Sequence, residues 1–372
     1  MAIKPLKSVA NKAKALLKKY QSGELIPVRT GRPWLDEIFG GLMPMEIVTI
    51  AGMSGGGKSF ELQRIKNYVM DVKNNPGANN FVWLSNSLEM RFISNIIRDL
   101  NIQLKKTKKK ILTEEFTEEE KTLVNDYFEN STDSRFYINE EAVTPEVFES
   151  EIRAFLSLHR DKEAVFIDID HIALQRDKNG NKKATVDEIT EIINRLKKEF
   201  PNTYWIVLSQ LNRNILERIR EKDNQAMPNR GDVFQSDSMF FISDYLYVCH
   251  NPHRLGINQF SRVNAEIYDY LEKHFTEESK GKVSFDTLGK IFYIVLKMRE
   301  ADILYRDVYI EEVEIEGKEK YREPKEDALP NVPMFKPTPI DRTQPFKLDA
   351  SIFDDRPSLT KNTEEDDPDS PF

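Results

Sequence analysis

The stretch Thr49-Ile50-Ala51-Gly52-Met53-Ser54-Gly55-Gly56-Gly57-Lys58-Ser59-Phe60, TIAGMSGGGKSF, follows an apolar run and precedes a segment with helical spacing. Its core, Gly52–Ser59, matches the pattern G-x-x-x-x-G-K-[ST] in full. Phosphate oxygens need many donors at close range. Glycines let a backbone turn its N–H groups inward, and a following helix adds its positive end. The expected cradle is Gly52, Ser54, Gly55, Gly56, Gly57, Lys58, Ser59 and Phe60. In it Lys58 bridges the β- and γ-phosphates of ATP and the Ser59 hydroxyl ligates Mg²⁺.

Working outward, further strand-like runs end in polar groups. "AVFIDID" (Ala164–Asp170) is an apolar strand ending in acid, the setting for a carboxylate that holds Mg²⁺ through water. Asp168 is the first acid after the apolar run and is the choice; Asp170, on the same face at period two, is its rival. "FVWLSNSLEM" (Phe81–Met90) runs into a turn with one acid, Glu89, placed to orient and deprotonate an attacking water. "YWIVLSQLNR" (Tyr204–Arg213) brings Gln210 to a strand end, where an amide can sense the γ-phosphate.

The strand candidates are Glu46–Ala51, Phe81–Ser85, Ala164–Asp168, Tyr204–Ser209, Tyr245–Cys249 and Ile291–Lys297. In Val186–Phe200, Ile189, Ile192, Ile193, Leu196 and Phe200 recur at helical spacing. Strands alternating with helices over 28–322 predict an α/β domain with a mainly parallel, helix-flanked sheet. Residues 1–27 predict a short basic helix with Val9, Ala13, Leu16 and Leu17 on one face; every charged residue among the first twenty is a lysine. Residues 323–372 hold nine of the 18 prolines and twelve Asp/Glu against six Lys/Arg, which predicts a disordered acidic tail. That tail carries most of the formal net charge of −8, so the overall sign does not exclude a nucleic-acid partner. "QRDKNGNKKAT" (Gln175–Thr185) sets Arg176, Lys178, Lys182 and Lys183 around Asn179-Gly180, a basic loop suited to follow a phosphate backbone. One cysteine, Cys249, excludes a disulfide framework and a cysteine-rich zinc site. With no secretory or membrane-spanning run, the expected location is the cytoplasm.

In order along the chain, "TGRPWLDEIFGGLMPMEIVTIAG" (Thr30–Gly52), the phosphate loop, "SLEM" (Ser87–Met90), "VFIDID" (Val165–Asp170), "LSQLNR" (Leu208–Arg213) and "LKMR" (Leu296–Arg299) resemble the ATPase domain of DnaB-like replicative helicases. These are ring-shaped motors with a RecA-type core. The resemblance covers roughly residues 10–310; the phosphate loop is common to many families, whereas "SLEM", "LSQLNR" and the late K-x-R in this order are specific. It implies that Glu89 is the catalytic glutamate, Asp168 the Mg²⁺-linked aspartate, and Gln210 a coupler to the DNA-binding loops. It also implies that Lys297 and Arg299 reach the γ-phosphate on a neighbouring subunit, Arg299 as an arginine finger. Where the family carries an R-E-S-G-like stretch in its second DNA loop, this chain has Phe234-Gln235-Ser236-Asp237, which leaves backbone N–H groups and Arg230 for DNA contact.

The family's N-terminal collar is absent from the sequence, and residues 5–21 resemble the linker helix that packs on the next subunit. A collarless version points to a virus or mobile element. The implied partners are single-stranded DNA, further copies in a hexameric ring, and a primase, loader or single-stranded-DNA-binding protein. The terminal "TEEDDPDSPF" (Thr363–Phe372) is similar to the acidic tips of single-stranded-DNA-binding proteins and suits a docking or autoinhibitory role. Other readings of the same core are a RecA-type recombinase or KaiC-like regulatory ATPase, and an inactive nucleotide-binding scaffold of a replication complex.

Overall fold

The computed structural model describes residues 6–22, 27–32, 35–36, 40–89, 91–131, 135–172, 181–221, 227–234, 236–257, 259–261, 284–299 and 308–312. The chain divides into a unit Met1–Ile315 and a unit Glu316–Phe372, and the second lies wholly outside the described residues, as does the predicted tail.

The first unit is built on one eight-stranded sheet. Its strands are β1 (Ile47–Gly52), β2 (Phe81–Ser87), β3 (Phe136–Asn139), β4 (Ala164–Asp170), β5 (Thr203–Gln210), β6 (Tyr245–His250), β9 (Lys290–Met298) and β10 (Val308–Glu312). They lie in the order β10-β9-β6-β1-β5-β4-β2-β3. The first six in sequence pair in parallel, while β9 and β10 join antiparallel. β7 (Gln259–Ser261) and β8 (Ser284–Asp286) form a separate antiparallel pair. Each of the six predicted strands is present, with ends moved by one or two residues. The predicted helix at Val186–Phe200 runs Lys182–Glu199, capped by the Asn181 side chain.

Parallel strands are covered on both faces, and β1, β4 and β6 are buried at every position. Alternation nevertheless divides the core. On one face Val48, Ile50, Phe166, Ile206 and Leu208 pack under Leu62, Ile65 and Val69 of the helix Lys58–Val69. On the other, Val165, Ile167, Ile169, Trp205 and Val207 pack under helices Lys182–Glu199 and Pro145–Leu158. Asp168 and Asp170 share the face of Phe166, the phosphate-loop side.

The lead-in to β1 is tied down by polar contacts. Asp36 accepts from the Thr30 backbone (2.9 Å), the Thr30 hydroxyl (2.8 Å) and the Gly31 backbone (3.2 Å). Arg32, almost fully buried, pairs with Glu61 (2.8 Å) and with Glu311 of β10, which also binds Arg64 (2.7 Å). Burial pushes the Glu311 carboxyl up, but the hydrogen bonds from Arg64 and Arg32 more than offset this and hold it at about 2. The segment before the loop, the helix after it and the sheet's edge strand are thereby locked together. The N-terminal helix is present at Leu6–Gln21, with Leu16 and Leu17 exposed.

Candidate nucleotide site

Gly52, Ser87, Asp170 and Gln210 are the last residues of β1, β2, β4 and β5. In open parallel sheets that edge is where ligands bind. Between β1 and the helix the chain must fold over its own phosphate-binding N–H groups. Gly57 precedes the helix with φ +101°, a conformation that a side chain resists. A Cβ on Gly52 would lie 2.7 Å from the Cys249 carbonyl oxygen at the end of β6, and one on Gly56 would lie 2.9 Å from that of Met53. The glycines here are therefore required by close approach as well as by turning.

Lys58 is buried, and its ammonium donates to the carbonyls of Gly52 (3.0 Å) and Met53 (3.1 Å). Burial lowers its pKa, while Asp170 and Glu89 oppose the shift. Burial and then Glu89 raise the Asp170 pKa, and the Ser59 side chain, beside the carboxylate, works against them. The other Asp170 contact is through its backbone: its carbonyl accepts from Leu88 N (2.8 Å) and Glu89 N (3.2 Å). The turn after β2 is thus stitched to the end of β4, and Glu89 is delivered beside Asp170. Ser54, Gly55, Lys58, Ser59 and Glu89 all wall a single cleft of about 570 Å³.

This geometry sets the two acids apart. Asp168 is buried one pleat back, where its Oδ2 accepts from Trp83 Nε1 and Ser85 Oγ, both at 2.6 Å. Burial pushes its pKa up to about 6. Asp170, not Asp168, meets Ser59, and its Oδ1 is buried without a hydrogen-bond partner. An apolar run ends chemically at its first acid, but the strand continues two residues further. Among the described residues no cluster of three or more His, Cys, Asp or Glu could cage a metal alone. A serine hydroxyl and one carboxylate suit Mg²⁺, which prefers few protein ligands plus substrate phosphates and water. The donor set therefore fits Mg²⁺ with ATP.

The other predicted residues are dispersed. Gln210 pairs in register with Gly52, and its carbonyl accepts from Phe234 N (2.8 Å), joining the phosphate-loop edge to the segment after Arg230. Arg230 is exposed, its guanidinium 3.8 Å from the centre of the Phe240 ring. Arg176 and Lys178 lie outside the described residues. Lys182 and Lys183 were expected in a loop; they form the first turn of a helix instead, because Asn181 caps it. Lys297 and Arg299 do not line the cleft. The Lys297 ammonium donates to the Phe240 carbonyl; Arg299 pairs with Asp244 (2.7 Å) and donates to the Phe241 carbonyl (3.0 Å). Both thus turn to the end of helix Ser236–Ile242. Their side is set by a register slip: Lys297 pairs with Leu246 and Val295 with Tyr247, leaving Leu296 without a partner. Before the slip Ile291, Tyr293 and Val295 face the phosphate-loop helix; after it Met298 does, and Lys297 goes to the opposite face.

Sequence reasoning missed Arg98 and Arg254, which also line the cleft, and Asp244, which holds Arg299. None stands in a recognisable motif; Asp244 is signalled only by its position just before an apolar strand.

The sequence profile of the DnaB-like helicase C-terminal domain matches residues 27–284, more than two thirds of the chain. The chain belongs to the DnaB-like helicase family. Its fold is shared with solved structures of that kind. The ATPase domain of G40P is 20% identical with a TM-score of 0.57, over 80% of this chain and 93% of that one. A DnaB-like replicative helicase studied for its interactions with primase is 19% identical with a TM-score of 0.56, over 83% of this chain and 64% of that one. No curated protein is recognisably similar in sequence. The RecA-like α/β core expected of a DnaB-like helicase is the one observed, and among the described residues no helix is long and apolar enough to cross a membrane.

Proposed function

We propose that this DnaB-like protein is an ATP-hydrolysing replicative helicase that moves on single-stranded DNA as a hexameric ring and unwinds duplex DNA in the cytoplasm of its cell or host cell. Lys58 and the loop N–H groups hold the phosphates of ATP, Ser59 and Asp170 take the Mg²⁺ side, and Glu89 orients and deprotonates water. Bound Mg²⁺ would neutralise charge developing on the phosphates. Lys297 and Arg299 serve the nucleotide of the next subunit, and the helix Leu6–Gln21 packs on that neighbour.

The observation that carries this reading is the split between two sets of groups. Lys58, Ser59 and Glu89 wall one cleft, while Lys297 and Arg299 are anchored elsewhere on the same chain. DNA contact rests on Arg176, Lys178, Lys182, Lys183 and Arg230. Lys182 and Lys183 occupy the positive end of a helix with no acid in its first turn, against the usual charge preference. A polyanion beside them relieves that conflict. The segments 1–27, 28–322 and 323–372 act as linker, motor and acidic tail, and a primase, loader or single-stranded-DNA-binding protein is the protein partner.

DNA-stimulated ATP turnover and fork unwinding, measured on one preparation, test the proposal. Turnover without unwinding would return the recombinase or KaiC-like reading, and no turnover the scaffold.

A further inference from the structure

The wall of the cleft opposite Glu89 is made by the turn after β6. Pro252 begins it, Leu255 N and Ile257 N both donate to the Pro252 carbonyl (2.9 and 3.0 Å), and Gly256 closes it at φ +80°. Asn251 Oδ1 accepts from Arg254 N (3.2 Å), so the backbone at Arg254 is fixed. From this turn the guanidinium reaches the phosphate loop itself: Nη1 donates to the Gly55 carbonyl at 2.9 Å. A Cβ on Gly55 would lie 3.1 Å from the same nitrogen. Nε and Nη2 make no hydrogen bond, and no carboxylate pairs with Arg254 among the described residues.

The contrast is with the arginines that are already engaged. Arg32, Arg64, Arg153, Arg195, Arg218 and Arg299 are each paired with a carboxylate. Arg254 is exposed at the rim of the one loop built to bind phosphate, with donors to spare and no counter-charge. A guanidinium presents its donors in a fork that matches phosphate oxygens.

We propose that Arg254 contacts the polyphosphate of the nucleotide held by its own subunit, a second cation in cis beside Lys58. The proposal rests on the nucleotide reading of the cleft, and it differs from the role given to Arg299, which serves the neighbour. Held at Gly55 by one nitrogen, Arg254 binds the phosphates of ADP and ATP alike. It therefore governs nucleotide affinity rather than the chemical step.

Titration of the full chain with fluorescent ADP and with a non-hydrolysable ATP analogue tests it. Arg254→Ala should weaken both by about tenfold, the worth of one charge-assisted hydrogen bond, leaving the ratio of the two affinities unchanged. Arg254→Lys should recover part of the loss. Arg254→Gln keeps a donor for the Gly55 carbonyl but has no charge, so it should bind as weakly as Arg254→Ala. Unchanged affinity in Arg254→Ala overturns the proposal, as does wild-type affinity in Arg254→Gln, which would make Arg254 a brace for the loop. A wild-type chain that binds ADP but does not unwind DNA defeats the helicase reading and leaves this one standing. A wild-type chain that binds no nucleotide defeats both.

Discussion

At the phosphate loop, the cation Lys58 is buried and its hydrogen bonds run to carbonyls five and six residues away. At the end of β9, Lys297 is half-buried and Arg299 exposed, and they are held by carbonyls 57 and 58 residues back. The first cation is set by continuous chain: a strand, a glycine turn and a helix leave it one place to go. The second pair is set by the packing of β9 against β6 and the helix before it. A site written in continuous chain is rigid and legible in sequence. One written in distant packing is adjustable, and an adjustable group is the one suited to serve a neighbour or to respond to DNA bound near Arg230.

That contrast can be broken first at its strongest point. Lys58→Ala should drop phosphate release to background, because the cation buried within the phosphate loop is lost; retained turnover would mean that the loop does not hold the reacting phosphates. Next, Arg299→Ala should cost on the order of 10³ in turnover, as fingers supplied by a neighbour do elsewhere. Mixed with the nearly inactive Glu89→Gln protein, it should regain activity at interfaces that pair an intact Glu89 with an intact Arg299. No recovery despite proven subunit exchange places Arg299 within its own site.

A smaller effect sharpens the comparison within one strand. Asp170→Asn should raise the Mg²⁺ needed for half-maximal turnover by about tenfold or more, and Asp168→Asn by less than about threefold. The reverse order restores the first acid of the strand as the metal-side group.

The smallest effect is on stability. Burial raises the Asp168 carboxyl from an ordinary 3.8 to about 6 in the folded chain. Below about pH 4 it is protonated folded or unfolded, and above about pH 6 it is ionised in both. Its contribution therefore turns against folding as pH rises between those values, by on the order of 3 kcal/mol at 1.36 per unit. Asp168→Asn keeps an acceptor for Trp83 and Ser85, so the pH 4 to pH 7 change in melting temperature should shrink.

What was legible follows the same division. The core strands were readable because strands buried on both faces are continuous apolar runs ended by glycine or polar residues, and Lys58, Ser59, Glu89 and Gln210 stand at those ends. β3 was missed because Phe136–Asn139 is a four-residue, half-exposed edge, too short for periodicity to register. Asp170 lost to Asp168 because sequence marks where hydrophobicity stops, whereas hydrogen bonding to Leu88 and Glu89 marks where the strand stops. Arg254 left no trace, since its partner Gly55 lies 199 residues away.

Leu296, the residue of β9 that the pairing with β6 skips, makes register itself a determinant of side. Strand residues obey parity: odd positions look one way, even ones the other, and an unpaired residue swaps the two for everything beyond it. Take Leu296 into the ladder and the odd positions past it would fall in step with Ile291, Tyr293 and Val295, swinging the lysine and arginine under the phosphate-loop helix of their own chain; delete it and they would stay where they are. On the reading proposed here, an outward donor would become an inward one without a single substitution. Whether a subunit serves itself or its neighbour would then be decided by how one strand is counted against the next, not by which residues it holds.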